Sequence, residues 1–192
     1  MSADQRLFDN AMSQGHSAAW DEEWEKAASH YRTAVNEFPD NLTALTSLAL
    51  ALFQLQKYQE SLEYYQRASR LSPADPMPFQ KIVEIYERTG DQANAARAYM
   101  NVAEVYTRNK DVEKSINSWR RVVDLDPENL AAHTRLALVY ERLGHDSDAM
   151  TELIAIASLL QNQGNVRKAI QTIKHALQVV PNSKEASLAL SI

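Results

Sequence analysis

The chain has 192 residues, 45% of them hydrophobic and 23% charged, the balance of an ordinary globular protein able to bury a core. It has no cysteine, which excludes a disulfide framework, a thiolate nucleophile and a zinc ribbon. A net charge of −5 argues against a general nucleic-acid binder, whose affinity comes from neutralising phosphates. In chain order, apolar spacing and stop signals predict helices near 5–19, 23–37, 42–55, 58–71, 76–89, 92–108, 112–125, 130–143, 146–162 and 166–179. A further helix begins at Lys184, and no segment reads as a strand, so the expected fold class is all-α.

The punctuation behind these helices is specific. Gly15 lies inside the first helix, where glycine costs about 1 kcal/mol relative to alanine, so a packing reason is expected. Asn41, Asp75, Asn129 and Ser183 stand where N-caps belong, and Asp75 precedes Pro76 at a first helical position. Gly90, Gly144 and Gly164 follow the last apolar residue of a periodic run, the usual helix stop. The charge is uneven: residues 1–75 hold six Lys/Arg against eleven Asp/Glu, including Asp21-Glu22-Glu23 and Glu25. A solvated acidic surface is the simpler reading of that run, and a docking patch the other.

Pro39, Pro73, Pro127 and Pro181 set a repeat register. The first gap is 34 residues and each later gap is 54, which is 34 extended by 20. Ahead of each proline stands the same order of small, bulky and small or aliphatic residues. These are Ala27, Tyr31 and Ala34; Ser61, Tyr65 and Ala68; Ser115, Trp119 and Val122; and Ala169, Ile173 and Ala176. Recurrence at such a period marks a helical repeat array.

With these residues in view, the chain resembles the tetratricopeptide repeat (TPR) family over roughly 90% of its length. Residues 8–41 match through Gly15, Ala18, Ala27, Tyr31, Ala34 and Pro39, with Ala18 small where a large residue is usual. Residues 42–75 match through Leu45, Leu48, Ala49, Leu52, Ser61, Tyr65, Ala68 and Pro73. Residues 96–129 match through Tyr99, Val102, Ala103, Tyr106, Ser115, Trp119, Val122 and Pro127. Residues 150–183 match through Leu153, Ile156, Ala157, Leu160, Ala169, Ile173, Ala176 and Pro181. The family's preferred tryptophan near the start of each repeat is missing. The resemblance implies a single array over 1–192 wound as a right-handed α-α superhelix, in which small residues let paired helices approach and large ones fill the gaps.

The 20-residue extensions, 76–95 and 130–149, each resemble a first helix of the repeat: Phe79, Ile82, Val83, Tyr86 and Gly90; His133, Leu136, Ala137, Tyr140 and Gly144. The helix that follows then fits two templates at once. Residues 76–129 and 130–183 therefore read as a duplicated three-helix unit of 54 residues, with about ten identical positions, among them Tyr86-Glu87-Arg88 and Tyr140-Glu141-Arg142. This arrangement predicts altered curvature after residue 75 and a helix 92–108 longer than its neighbours.

No chemistry stands out. His16, His30, His133, His145 and His175 lack metal spacing, and His133 falls on a packing position. No nucleophile elbow, phosphate loop, dinucleotide fingerprint or calcium loop occurs, and Glu22 and Glu23 read as solvated turn residues rather than an acid–base pair. Asn41-Leu42-Thr43 has the form of a glycosylation sequon but reads as a cap and first turn. The expectation is therefore a non-enzyme without metal or cofactor. No run approaches about 20 apolar residues and no signal peptide is apparent, so a cytoplasmic chain without membrane or nucleic-acid partners is expected.

The resemblance implies a groove lined by the first helices, into which a peptide or helix of a protein partner is laid. Its wall here would be Asp9, Met12, His16 and Trp20, then Thr43, Thr46, Leu50 and Phe53, then Met77, Gln80, Glu84 and Glu87. Expected partner-binding residues are Met12, His16, Trp20, Thr46, Leu50, Phe53, Met77 and Gln80, with Leu50 and Phe53 as apolar anchors. The alternative is that the N-terminal segment or the next array copy covers the apolar members. Some members of the family grip a peptide carboxylate with a basic clamp. The matching positions here are Met12, His16, Ser47, Met77 and Lys81, of which only Lys81 fits, so that mode is not expected. A second reading rests on the run from Lys184 to Ile192, which opens another first helix and stops: a self-associating array segment, joined through its C-terminal end, or the interaction part of a longer multidomain protein.

Overall fold

A computed structural model describes residues 4–190. Residues 1–3, and 191 and 192 of the expected last helix, lie outside the described residues. The described chain is all helix: α1 (Gln5–Trp20), α2 (Trp24–Glu37), α3 (Leu42–Gln54), α4 (Tyr58–Leu71), α5 (Pro76–Thr89), α6 (Gln92–Arg108), α7 (Val112–Leu125), α8 (Leu130–Leu143), α9 (Asp146–Asn162), α10 (Val166–Val179) and α11 (Lys184–Leu190). Within each compact unit, successive helices fold back as antiparallel hairpins. Helix α6 has 17 residues against 14 for α5 and α7, as the spacing predicts. No helix among the described residues is long and apolar enough to cross a membrane.

Two kinds of corner join the helices, and each has its own cause. Phe38, Ser72, Asp126 and Val180 end α2, α4, α7 and α10 with φ of −128°, −128°, −141° and −125°. Each directly precedes one of the four register prolines, whose ring disfavours helical backbone in the residue before it. The helix stops for a steric reason. The next helix is then capped as expected: Asn41 Oδ1 accepts from the Ala44 N–H at 3.0 Å, Asp75 Oδ1 from Met77 at 2.9 Å, Asn129 Oδ1 from Ala132 at 3.1 Å and Ser183 Oγ from Ala186 at 3.1 Å. Asp4, Asp91 and Asp111 cap α1, α6 and α7 in the same way.

The other corners turn through one left-handed residue. These are Glu22 (φ 58°), Gln56 (58°), Gly90 (72°), Lys110 (62°), Gly144 (71°) and Gly164 (77°). Their spacing is 34, 34, 20, 34 and 20, so the turn recurs at one register position even where no glycine announces it. A side chain there costs about 1–2 kcal/mol of local strain.

The chain divides into two compact units, Met1–Asn109 and Lys110–Ile192. In the first, α1 to α6 each pack on their chain neighbours. One core joins Met12 with Ala27, Tyr31, Leu45, Leu48 and Leu52, and a second joins Phe53 with Leu62, Tyr65, Ile85 and Val102. Close approach within a hairpin is direct at Ser61, whose buried hydroxyl donates to the Ala49 carbonyl of the facing helix at 2.7 Å. Gly15 has the packing reason its position called for: a Cβ there would stand 2.5 Å from Tyr31 Cε1. In the second unit, α9 packs against α8, α10 and α11, and its Leu153, Ile156, Ala157 and Leu160 share a core with Ala137, Ala169, Ile173 and Ala186.

Gly15→Ala should lose about 1–3 kcal/mol, overpacking against Tyr31 outweighing the gain in helix propensity. Urea unfolding reads this directly, and an unchanged or raised midpoint would refute the close approach. At the left-handed corner, Gln56→Gly should stabilise by about 0.5–1 kcal/mol while Gly90→Ala costs about 1 kcal/mol. Opposite signs in the same assay are the expected result.

Candidate protein-binding surface

The register assigns the binding wall to α1, α3 and α5, and the structure sorts its residues into two sets. Leu50 and Met77 stay at the surface, each 37% exposed, as do His16, Gln80 and, at the end of α1, Trp20. Thr46 is half-buried, and its hydroxyl donates to the Leu42 carbonyl within its own helix at 2.9 Å. Gln80 Nε2 donates to the Tyr106 hydroxyl at 2.7 Å. His16 sets its ring edge against Tyr31 at 5.6 Å.

Met12 and Phe53 correct the expectation of an open apolar wall. Met12 is only 7% exposed and belongs to the core built with Tyr31 and Leu45. Phe53, at 4%, is covered by its neighbours. The Arg88 guanidinium lies 4.7 Å from its ring centroid, Lys81 Nζ lies 5.6 Å away, and Tyr58 meets it edge-on at 5.7 Å. The reason is the reach of long cationic side chains on the next first helix, whose stems exclude water while their charges face the ring. Glu84 holds both cations, at 2.7 Å to Lys81 and 3.4 Å to Arg88. Lys81, the one residue fitting a carboxylate clamp, is thus committed to Glu84 and Phe53.

Electrostatics beneath this face follow from burial. Tyr65 has its phenol pushed up by burial and then by the Glu84 charge. Tyr31 is raised by burial, with a hydrogen bond to Ser47 opposing. Outside the face, His133 of α8 is buried, with Nδ1 at 2.6 Å from Glu152 Oε2 and Nε2 at 3.0 Å from the Pro127 carbonyl. One ring nitrogen thus holds the α7–α8 corner and the other ties α8 to α9, which suits the packing role read from sequence. Glu23 pairs with Lys26 at 2.7 Å, and Asn41 serves as a helix cap. Among the described residues no group of three or more His, Asp or Glu is placed to hold a metal ion.

A second surface was not read from the sequence. A groove of about 350 Å³ runs along α4, α5 and α6, floored by Phe79, Ile82 and Tyr86 and rimmed by Arg70 and Arg97. Its signal was available: neither arginine has an acidic residue three or four positions away along its helix.

The left-handed corners, the pre-proline stops and the small residues facing across hairpins recur in register. Residues 12–76 match the family model described as tetratricopeptide repeat, and residues 103–144 match one described as TPR repeat, together more than half of the chain. The chain is a tetratricopeptide repeat protein. Among curated relatives, BBSome complex member BBS4 of Bos taurus is 22% identical over 157 residues, covering 68% of this chain and 30% of the relative. Anaphase-promoting complex subunit 6 of Arabidopsis thaliana is 21% identical over 152 residues, covering 69% of this chain and 28% of the relative. This TPR chain therefore spans about 30% of the length of each of these two relatives. The TPR2B domain of yeast Sti1, solved in complex with pHsp70, superposes with a TM-score of 0.53 at 12% identity over 65% of this chain and all of that one, a likeness of fold. TPR domains are protein-interaction modules as a class.

Phe53→Ala should cost about 3–5 kcal/mol, the price of emptying a core position, whereas Leu50→Ala should stay within about 1 kcal/mol. Thermal unfolding of the pair tests the sorting, and equal small losses would return Phe53 to the open surface.

Proposed function

We propose that this TPR chain is a non-enzymatic scaffold that binds a peptide or helix of a partner protein along the first-helix face of residues 1–109. The observation that carries the reading is the pair Leu50 and Met77, apolar and exposed on α3 and α5 beside the polar groups of Thr46 and Gln80. An amphipathic segment would set apolar side chains on Leu50 and Met77 and hydrogen-bond to the amide of Gln80. Met12 and Phe53 support that face from within, and His16 and Trp20 extend it along α1.

The proposal also treats residues 1–192 as one array, with repeats at 8–41 and 42–75 and three-helix units at 76–129 and 130–183. Two observations support this: the left-handed residues alternate between spacings of 34 and 20 after Gly90, and α9 packs on both α8 and α10. A second reading, that the chain is a structural segment of a larger assembly or of a longer multidomain protein, is favoured by its relatives. Both curated proteins named above are described as members of complexes, and the chain spans only part of each.

The test compares pull-downs by the wild type and by Leu50→Glu/Met77→Glu, after circular dichroism shows equal helicity. A protein held by the wild type and lost from the variant, at a loss of at least about tenfold in affinity, is the expected result. Equal retention by both would move recognition away from the α1, α3 and α5 face.

A further inference from the structure

Trp20 closes α1 with 87% of its surface exposed, although a tryptophan that finds a partner buries about 150–250 Å². It is not a loose end of the core, since Trp24, four residues on, packs against the core while Trp20 points away from it. The turn that carries it is well held. The Glu23 N–H donates to the Ala18 carbonyl at 2.8 Å, the Trp24 N–H to that of Glu22 at 2.9 Å, and Glu22 sits at φ 58°. Asp21, Glu22 and Glu25 follow it closely in the chain, all three exposed, and none forms an ion pair among the described residues. The result is a fixed aromatic knob with an acidic collar.

The groove along α4, α5 and α6 has the opposite chemistry. Its floor is Phe79, Ile82 and Tyr86, and its rims carry Arg70 and Arg97. Arg70, exposed, donates from Nε to the Gln66 carbonyl at 3.1 Å, and neither it nor the exposed Arg97 forms an ion pair among the described residues. Asp91, the carboxylate that senses Arg97, is occupied by the backbone and side-chain amides of Asn94. Aromatic floor and unpaired arginines are the residue types that dominate binding energy at protein interfaces.

We propose that the Trp20 turn of one copy docks in this groove of a second copy, indole on Phe79 and Tyr86, with Asp21 and Glu22 facing Arg70 and Arg97. The two charge patterns are complementary, and the volume of about 350 Å³ suits one large side chain with its flanks. Knob and groove are different surfaces, so the contact is head-to-tail and a docked pair keeps one free knob and one free groove, one on each copy. A contact this small makes for weak association, below the roughly 1,200 Å² of stable complexes. It takes up Trp20, at the α1 end of the proposed partner face, and leaves Leu50 and Met77 free for a partner.

Sedimentation equilibrium at low salt tests this with the whole chain, up to roughly 1 mM. The wild type should gain weight-average mass with concentration. Trp20→Ala, which keeps the groove, and Arg70→Glu/Arg97→Glu, which keeps the knob, should each remain monomeric while retaining full helicity. Mixed in equal amounts, the two variants should recover a dimer and nothing larger, because only one knob and one groove survive between them. A monomeric wild type overturns the proposal. So does association of either variant to the wild-type extent, which would place the contact elsewhere, such as the C-terminal end. A mixture that stays monomeric overturns it as well.

Discussion

How near two antiparallel backbones come within a hairpin governs much else in this molecule. At Ser61 the approach is close enough for a side-chain hydroxyl to reach the carbonyl of Ala49 on the facing helix. At Gly15 it leaves no room for a methyl group against Tyr31. Small residues on the inner line bring large ones on either side into mutual reach, which is how Tyr65, Leu45, Leu52 and Ile85 come to be fully enclosed. Surface follows from the same constraint: what does not fit between helices, such as Leu50 and Met77, is left facing out.

The corners keep these hairpins in register, and the structure satisfies their polar groups with care. The Pro39 carbonyl accepts from Arg67 at 2.7 Å, that of Pro73 from Arg108 at 3.3 Å, and that of Ala74 from Asn109 at 2.9 Å. Each donor comes from a later hairpin. The Arg32–Glu60 pair likewise links α2 to α4, although such half-exposed pairs add little to stability on their own. The Pro39 and Pro73 corners are thus held by the second helix of the hairpin that follows, and the register of one repeat constrains the next.

Helix bounds were readable from the chain to within a residue because prolines and caps act locally. The pre-proline residue is displaced from helical backbone whatever surrounds it, and Asn41 or Asp75 needs only its own next turn. Where the outcome depended on a neighbour's reach, sequence reasoning failed. Phe53 occupies a wall position by register, yet Arg88 and Lys81 of the following first helix close over it. Glu22, Gln56 and Lys110 adopt the backbone that elsewhere in the chain calls for glycine, because packing of the flanking helices forces the turn. Only the period, not the residue type, could have revealed them. The α4–α6 groove escaped for a similar reason: its floor is made of residues that the repeat pattern accounts for as packing.

Helices that pack chiefly on their chain neighbours have a kinetic consequence. Within each unit the contacts that build the core join segments adjacent in the chain, so little loop entropy must be lost before a hairpin gains its packing energy. Such low contact order belongs to fast folding, in which a single hairpin can nucleate and its neighbours add in turn. Opening then starts at the outer helices of a unit rather than throughout it. Amide exchange should therefore be slowest where a helix is flanked on both sides, as at α3 and α9, and rise toward α1 and α11.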